Sequence, residues 1–318
     1  MYTADVAINI KSAIPPFGIE NDTHTHSLYC KMGIFSSFKA LKISASESDT
    51  NYVLPTVPDD GCDLVCDTCT SKFPSSLKID TQDRLWGSVK PWRYHILVAT
   101  GKMDWAHGLV DEKSSLSVEL GAWSPEDRSV GRVIVSNSSL APPPGYFETT
   151  ERESKKTTLL VLPTMIEAKG VSSGTAESVA NGLMTVKKPT DTVPESIEGA
   201  TVSHKGHLAV VLICSHRTRD KRCGVAAPLL KKELEINLRE HGLLRDATDD
   251  RPGGVPVYFV SHVGGHKYAG NVIIYKNTGE GIWMGRVEPK HCKAIVEETI
   301  LKGRVYPEIM RGAFKSDW

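Results

Sequence analysis

The sequence lacks an excess of charge of either sign. Its 38 Lys and Arg residues balance 38 Asp and Glu residues, so the formal net charge is zero. Proteins that bind nucleic acid or membrane surfaces without further specificity carry a broad surplus of positive charge. We therefore expect no nucleic acid and no membrane among the partners, although a local charged patch is compatible with this balance.

The sequence also lacks long apolar runs and a recognisable export signal. Its longest clean apolar stretch, Leu208–Cys214, has seven residues, whereas a membrane helix needs about 20. Residues 1–16 do not show the basic region followed by a continuous apolar region that is typical of a secretory signal. We expect a soluble protein of the cytoplasm, with the nucleus as a further location.

Nucleotide-binding fingerprints of the G-x-G-x-x-G and P-loop types are absent as well. A redox function would therefore depend on a separate reductase for electrons. No pair of carboxylates stands in a context that indicates sugar hydrolysis. The sequence therefore predicts neither a bound nucleotide cofactor nor a sugar-hydrolase site.

The seven cysteines form an odd set in a chain without an export signal. In a reducing compartment, thiols serve metals or redox chemistry more often than structural disulfides. Four of the seven lie in the first 75 residues. They are Cys30, Cys62, Cys66, Cys69, Cys214, Cys223 and Cys292.

The chain length of 318 residues predicts about two domains, and the apolar pattern supports two α/β units. The first unit has predicted strands at 93–100, 132–135 and 157–162. The second has strands at 208–214 and 255–260, a helix over 226–244, a hairpin formed by 271–275 and 282–287, and a closing helix over 289–302. The predicted segments are an irregular Cys-containing region (1–75), a first unit (76–166), a linker (167–200), a second unit (201–310) and a tail (311–318).

The order β, α, β, β, β, α in the second unit fits a small thioredoxin-like sandwich. Both units begin with a similar phrase, His-Ile-Leu-Val-Ala at residue 95 and His-Leu-Ala-Val-Val at residue 207. The predicted fold class is thus α/β, with two thioredoxin-like units of which the first is a decayed copy.

Four metal-binding side chains follow strand ends in the second unit. Cys214 ends a strand and Cys223 begins the next helix, with eight residues between them; His262 and His266 bracket Val-Gly-Gly after another strand. Two helical glycines would each cost about 1 kcal/mol, so the histidines are predicted on a loop. The set fits a zinc ion, a [2Fe-2S] cluster with mixed ligands as in Rieske centres, or a purely structural role, and the wide cysteine loop is less typical of a zinc knuckle.

Two long motifs carry a family resemblance. Residues 213–224 (ICSHRTRDKRCG) and 261–275 (SHVGGHKYAGNVIIY) resemble the signature of the sucrase/ferredoxin-like family, and the resemblance covers most of the chain. It implies that 201–310 is a thioredoxin-like ferredoxin domain and that 76–166 is a degenerate copy without a cluster. It also implies a [2Fe-2S] cofactor whose metal ligands are Cys214, Cys223, His262 and His266.

This ligand set has electrostatic consequences. Two thiolates neutralise an oxidised [2Fe-2S] core, whereas four thiolates leave it negative, so the mixed set accepts an electron more readily. The added negative charge raises the pKa of the imidazoles, and electron uptake is then coupled to proton uptake. The resulting prediction is a proton-coupled, one-electron carrier; the alternatives are a zinc-stabilised protein-interaction module and a metal-free dithiol redox protein using Cys214 and Cys223.

The loop between the two cysteines is rich in positive charge. Such a loop would stabilise a reduced site and steer an acidic redox partner, although a solvated basic turn has the same composition. Its basic residues are His216, Arg217, Arg219, Lys221 and Arg222, opposed by Asp220.

Cysteines at 62, 66 and 69 have the C-x3-C-x2-C spacing of radical SAM enzymes. Thr68 stands where those enzymes usually have an aromatic residue, and no series of βα units follows. Three unliganded thiols are the favoured interpretation, with a zinc site completed by Cys30, His24 or His26 as the alternative.

The remaining candidates are weaker. Cys292 is predicted to be an ordinary helix residue, and His204 and His207 to have a surface or supporting role rather than ligation. The end of the chain, Ser316-Asp317-Trp318, resembles the acidic-Trp signal read by the cytosolic iron–sulfur targeting complex. It predicts that complex as a partner, with an incidental exposed tail as the alternative.

Overall fold

The computed structural model describes residues 41–42, 53–57, 69–246 and 249–318. All of them belong to one compact unit, Ala40–Trp318. Cys30, Cys62, Cys66, His24 and His26 lie outside the described residues, and so does most of the predicted N-terminal segment 1–75.

The described residues form an alternating series of strands and short helices. The strands are β1 (Leu41–Lys42), β2 (Val53–Leu54), β3 (Tyr94–Ala99), β4 (Val133–Ser138), β5 (Lys156–Leu162), β6 (Ile166–Ser172), β7 (Ser196–Ile197), β8 (Ala200–His204), β9 (Ala209–Cys214), β10 (Leu244–Arg245), β11 (Val255–Val260), β12 (Val272–Lys276), β13 (Glu280–Met284) and β14 (Met310–Lys315). The α-helices are α1 (Ser117–Leu120), α2 (Ala176–Leu183), α3 (Lys221–Glu240) and α4 (Cys292–Ala294), which continues as a π-helical segment, Ile295–Leu301. Short 3-10 turns lie at Leu109–Asp111, Arg128–Val130, Arg152–Ser154, His266–Tyr268, Pro289–His291 and Pro307–Ile309.

One mixed sheet dominates the described part of the chain. Its strand order is β14-β13-β12-β9-β11-β4-β3-β5-β6-β8-β7, and β10 runs alongside the start of β11. Strands β1 and β2 form a separate antiparallel pair. The predicted α/β class is confirmed.

The two parts of the sheet repeat one topology. In the first part, β3 lies between the parallel β4 and the antiparallel β5, and β6 follows β5 as the next antiparallel strand. In the second part, β9 lies between the parallel β11 and the antiparallel β12, and β13 follows β12 in the same way. Each part therefore has a parallel crossover followed by an antiparallel hairpin.

The sheet bends where the two parts meet. Strands β4 and β11 share a single residue pair, Ser138 with Val260. Four strand spacings of about 4.8 Å separate β3 from β12 in the strand order, yet His95 Nδ1 on β3 lies 3.1 Å from the Tyr275 hydroxyl on β12. The two parts therefore pack face to face rather than forming one flat sheet.

The sequence of the second part explains its burial. Every residue of β9 and of β11 is buried, as continuous apolar runs require in parallel strands covered on both faces. Helix α3 packs on these strands through Leu230, Leu234 and Leu238, whose four-residue spacing places them on one helix face. The core of this part also takes in side chains from the first part, among them Leu97 and Leu160.

Three predicted boundaries need correction. The predicted linker 167–200 contains most of β6 and all of α2, of which the sequence predicts only one short helix over about 176–184. The apolar side chains of both elements pack in a second core. The predicted tail 311–318 includes most of β14, which pairs with β13 and buries Phe314. Helix α3 begins five residues earlier than predicted, at Lys221. The division into two domains remains a prediction.

A buried histidine makes the fold sensitive to acid. His95 contacts Ser136 Oγ at 2.9 Å and the Tyr275 hydroxyl at 3.1 Å, and burial lowers its pKa from 6.5 to about 3. Because the unfolded chain takes up this proton at a higher pH than the folded one, stability falls as the pH drops from 6.5 towards 3, by up to about 1.4 kcal/mol per pH unit. We expect His95→Gln to show a shallower loss than the unmutated chain in urea unfolding between pH 7 and about 4.

His241→Gln, at an exposed position of the same chain, is the matched control and should leave the acid dependence unchanged. Equal pH slopes for His95→Gln and the unmutated chain would show that this site does not titrate between the two states.

Candidate functional site

Cys214 lies where two parallel strands end together. It is the last residue of β9, and its Cα is in register with that of Val260, the last residue of β11. Because the carboxyl ends of parallel strands meet at one edge of a sheet, the loops that follow them are neighbours. His262, two residues after β11, is thereby placed beside Cys214.

Cys223 lies in the first turn of α3. Asp220 caps this helix, since its side chain accepts a hydrogen bond from the backbone N–H of Arg222 at 2.9 Å. A Cβ on Gly224 would overlap the side chain of Arg217, so glycine allows the loop between the cysteines to fold back tightly onto the helix.

His262 and His266 lie on a tight glycine loop, as predicted. Gly264 and Gly265 have φ values of 96° and 70°, a left-handed conformation that favours glycine. The loop brings the imidazole centroids of His262 and His266 to 5.2 Å. His266 then begins the short turn His266–Tyr268.

The two thiols and His262 form a hydrogen-bonded group. Hydrogen bonds from the Cys223 side chain and from His262 lower the pKa of Cys214 well below its usual value, against the opposing effect of burial. The pKa of Cys223 is raised by the same hydrogen bond to Cys214 and by burial. Both cysteines are nearly inaccessible and are not joined in a disulfide.

The histidines leave buried nitrogen atoms without partners. The Nδ1 atoms of His262 and His266 are both buried and have no hydrogen-bond partner. An unsatisfied buried polar atom costs about 1–3 kcal/mol, and a ligand bound to these two nitrogens would remove that cost. Two soft sulfur donors and two imidazoles with unpaired nitrogens have the chemistry to bind a metal group.

A single metal ion requires a particular arrangement of its donors. Within the described ranges, no three His, Cys, Asp or Glu side chains surround a common point as one metal ion requires. The four predicted residues instead form a chain of contacts, Cys223 to Cys214, Cys214 to His262, and His262 to His266. The structure thus brings the four residues together, in two pairs of like donors.

His216 is hydrogen-bonded to the loop that carries His262. Its Nδ1 accepts a hydrogen bond from the backbone N–H of His262 at 3.0 Å, so its Nε2 carries a proton and donates it to the carbonyl of Trp105 at 3.1 Å. The side chain is 2% exposed. His216 therefore links the cysteine loop to the histidine loop and is not part of the solvent-facing surface of the basic loop.

The other residues of the loop line an open cleft of about 670 Å³. Arg222 makes a two-point contact with the carboxylate of Asp220, at 2.9 and 2.8 Å. Thr218 is held by Asp104, and Arg219 contacts His107. Arg217, Arg219 and Lys221 are exposed, so most of the positive charge of the loop faces solvent.

Two residues of the site escaped sequence analysis. Asn271 donates a hydrogen bond to the Gly265 carbonyl at 3.0 Å, and Arg311 donates one to the Gly264 carbonyl at 3.0 Å. Arg311 belongs to a segment predicted as a tail, and no local pattern connects it with residues almost fifty positions away. Only the pairing of β14 with β13 places it here.

The weaker candidates lie in other surroundings. Cys69, from the C-x3-C-x2-C motif, faces the carbonyl of Pro289 at 3.4 Å. Cys292 is buried within α4, and the Nε2 atom of His204 lies 2.8 Å from the Asp191 carbonyl. His207 lines a cavity of about 220 Å³ whose walls come from both parts of the sheet.

The chain end is partly held against the protein. The ring of Trp318 lies beside Gly279, and its indole nitrogen is buried without a hydrogen-bond partner. Asp317 forms an ion pair with Arg93 at 3.4 Å. As for membranes, no helix within the described ranges combines the length and apolarity needed to cross one.

The sequence of this chain is similar to those of several known proteins. Actin patches distal protein 1 of Saccharomyces cerevisiae is 35% identical over 241 residues, which cover 71% of this chain and 75% of that protein. Altered inheritance of mitochondria protein 32 of Meyerozyma guilliermondii is 29% identical over 267 residues, covering 79% and 91%. The protein of that name from Clavispora lusitaniae is 45% identical over 106 residues, covering 33% and 35%.

No solved structure matches the chain at a significant level. A family model described as sucrase/ferredoxin-like matches residues 85–312. This range contains both strand-end loops and all four clustered side chains. The chain belongs to the sucrase/ferredoxin-like family.

Proposed function

We propose that this protein is a one-electron carrier that binds a [2Fe-2S] cluster through Cys214, Cys223, His262 and His266. The observation that carries the proposal is the meeting of two buried thiols with two imidazoles whose buried Nδ1 atoms have no partner. The ferredoxin-like part of the family description supports a redox role.

The pairing of the donors favours a cluster over a single zinc ion. The two thiols contact each other, and the two imidazoles lie side by side. A cluster with two irons uses such pairs, one on each iron, as in Rieske centres. A structural zinc ion instead needs four donors around one point.

The side chains determine what the site does with an electron. A [2Fe-2S] cluster supplies one-electron oxidation and reduction at the site. Two neutral imidazoles in place of two thiolates leave the site less negative, which raises its reduction potential relative to an all-cysteine site. An imidazole close to added negative charge becomes more basic, so we expect His262 or His266 to take up a proton when the protein is reduced.

The repeated topology supports a two-unit, thioredoxin-like arrangement with the site in the second unit. By position at the strand ends, Ala99 in β3 corresponds to Cys214 in β9, and Leu140 after β4 corresponds to His262 after β11. Neither residue can bind a metal. On this proposal, 76–166 is a degenerate domain without a cluster and 201–310 is the ferredoxin domain.

The surface beside the site suits an acidic redox partner, such as a reductase. Arg217 and Lys221 are exposed at the cleft. Met103 is 59% exposed and adjoins the cysteine loop, since its carbonyl accepts a hydrogen bond from Ser215 at 2.6 Å. An exposed apolar side chain with basic neighbours is a common composition for a transient docking surface.

Delivery of the cluster is a separate proposal. The Ser316-Asp317-Trp318 sequence supports recognition by the cytosolic iron–sulfur targeting complex, and with it a location in the cytoplasm or the nucleus. Such recognition requires Trp318 to leave its contact with Gly279.

A metal-free dithiol function is the second candidate. It is favoured by the contact between Cys214 and Cys223 and by the lowered pKa of Cys214, which are also properties of thiol–disulfide enzymes. This function does not use His262 or His266 as ligands, whereas the cluster requires both.

Iron and sulfide analysis tests the main proposal. The protein purified without oxygen should contain about two iron atoms and two acid-labile sulfides per chain and absorb visible light. Cys214→Ser and Cys223→Ser should lose most of both. Cys69→Ser, at a half-buried cysteine of another region, is the matched control and should retain them. A colourless protein with zinc, or with no metal, would contradict the proposal.

Replacing a histidine ligand tests the role of the imidazoles. His266→Cys should retain the cluster, since thiolate also binds iron, but with a lower reduction potential because the site gains negative charge. Its potential should also depend less on pH, since one protonatable ligand is lost. Redox titration at several pH values measures both effects. His204→Gln, outside the site, should behave like the unmutated protein, and an unchanged potential in His266→Cys would argue against ligation.

Charge reversal tests the docking surface. Arg217→Glu combined with Lys221→Glu should slow oxidation of the reduced protein by ferricyanide, an anion, several-fold at low salt, and should accelerate oxidation by hexaammineruthenium, a cation. Both effects should disappear in about 1 M salt. Lys156→Glu, at an exposed position on β5, should have little effect. Equal rates for the double variant and this control would rule out steering by the loop.

A further inference from the structure

Arg311 is a buried cation next to the histidine loop. It lies on β14 and is 2% exposed. A Cβ on Gly265 would overlap its guanidinium group, so the absence of a side chain at Gly265 is what lets the charged group approach the loop. The guanidinium also lies over the rings of Tyr268 and Trp283, at 5.2 Å from each.

The hydrogen bonds of Arg311 fix the loop that bears His262 and His266. Its Nη1 donates to the Gly264 carbonyl at 3.0 Å and to Asn271 Oδ1 at 2.6 Å. Asn271 in turn donates to the Gly265 carbonyl at 3.0 Å. The two consecutive glycine carbonyls between the histidines are thus held by one arginine and one asparagine.

The other side of the guanidinium is bound by Ser88. Arg311 Nε donates to Ser88 Oγ at 3.0 Å, and Nη2 donates to the Ser88 carbonyl at 3.1 Å. Among the described residues, every acceptor that hydrogen-bonds Arg311 is a neutral oxygen. The guanidinium N–H groups are thus hydrogen-bonded, but no carboxylate within the described part of the chain pairs with the positive charge.

A buried cation without a counter-charge is costly, by several kcal/mol after relaxation. Burial lowers the pKa of Arg311 to about 10, and nearby Tyr268, Cys214 and Cys223 oppose this effect. Of these, the two cysteines belong to the site and become anionic when they bind a metal. Negative charge at the site therefore offsets part of the cost of burying Arg311.

We propose that Arg311 is a positioning residue that holds the histidine loop and acts as the internal counter-charge that favours the reduced state of the site. This inference rests on the proposed function. One-electron reduction adds a negative charge to the site, and a fixed cation in a region of low dielectric stabilises that charge more than a solvated one does. Arg311 should therefore raise the reduction potential.

Redox titration of Arg311→Gln and Arg311→Lys, in the full chain loaded with iron and sulfide, tests this role. In Arg311→Gln, the ratio of reduced to oxidised protein at a fixed ambient potential should fall about tenfold, equal to a midpoint shift of −59 mV for one electron. Arg311→Lys keeps the charge and should recover most of the shift. A midpoint in Arg311→Gln equal to that of the unmutated protein would overturn the inference.

Two controls separate charge from hydrogen bonding. Ser88→Ala removes one acceptor of Arg311 and leaves its charge, so the midpoint should stay close to that of the unmutated protein. Arg304→Gln removes a charge that is paired with Glu298 on the surface and should also have little effect. A fall with Ser88→Ala as large as that with Arg311→Gln would assign the effect to loop geometry instead of charge.

A further variant covers the case in which Arg311→Gln fails to fold. Asn271→Asp places a carboxylate 2.6 Å from Arg311 Nη1 and neutralises the cation in place, so the midpoint should again fall; an unchanged midpoint would overturn the inference. Failure of the proposed function is distinguishable, because then the unmutated protein itself binds no iron and sulfide. A cluster in the unmutated protein with no response to these substitutions would refute the role of Arg311 alone.

Discussion

The register between β9 and β11 is the constraint on which the site depends. These two parallel strands end side by side, at Cys214 and Val260. A sulfur donor at one strand end and an imidazole two residues beyond the other are therefore neighbours, although almost fifty residues separate them in the chain. A shift of one residue between the strands would turn the alternating side chains to opposite faces and separate the donors.

The first part of the sheet contacts the loops that carry the site. Residues 103–107 contact four residues of the loop that follows Cys214. One of these contacts is the hydrogen bond from His216 to the Trp105 carbonyl. Ser88 binds the guanidinium of Arg311 on the opposite side. The first part of the sheet thus supports the loops of the second part.

Local patterns in the sequence were sufficient for the elements that carry the four donors. Strands β9 and β11 are continuous apolar runs bounded by polar loops, and the glycine pair between His262 and His266 excludes a helix. Those features depend on neighbouring residues, which sequence reasoning treats well. The spacing of the four residues does not select a cofactor, and the proposed [2Fe-2S] cluster comes from the family resemblance.

Long-range packing was beyond the reach of the same patterns. Strand β6 and helix α2 bury small residues such as Ala168 and Ala180, whose burial depends on partners elsewhere in the chain. His216 stands in a basic loop, a composition that is typical of exposed surface. It is nevertheless buried and hydrogen-bonded to two backbone groups. Arg311 has no sequence neighbour that hints at its role. In each case the partner is distant, so the residue's own surroundings in the sequence are uninformative.

The position of Arg311 on β14 sets an order of assembly. A ribosome synthesises all four sulfur and imidazole side chains well before it reaches residue 311. A nascent chain at that stage can gather the donors, but its glycine loop still lacks the cation and the edge strand that hold it. The mature environment of the site is therefore reached only after β14 has been made and added to β13, and a chain shortened before this strand would keep every donor without their final setting.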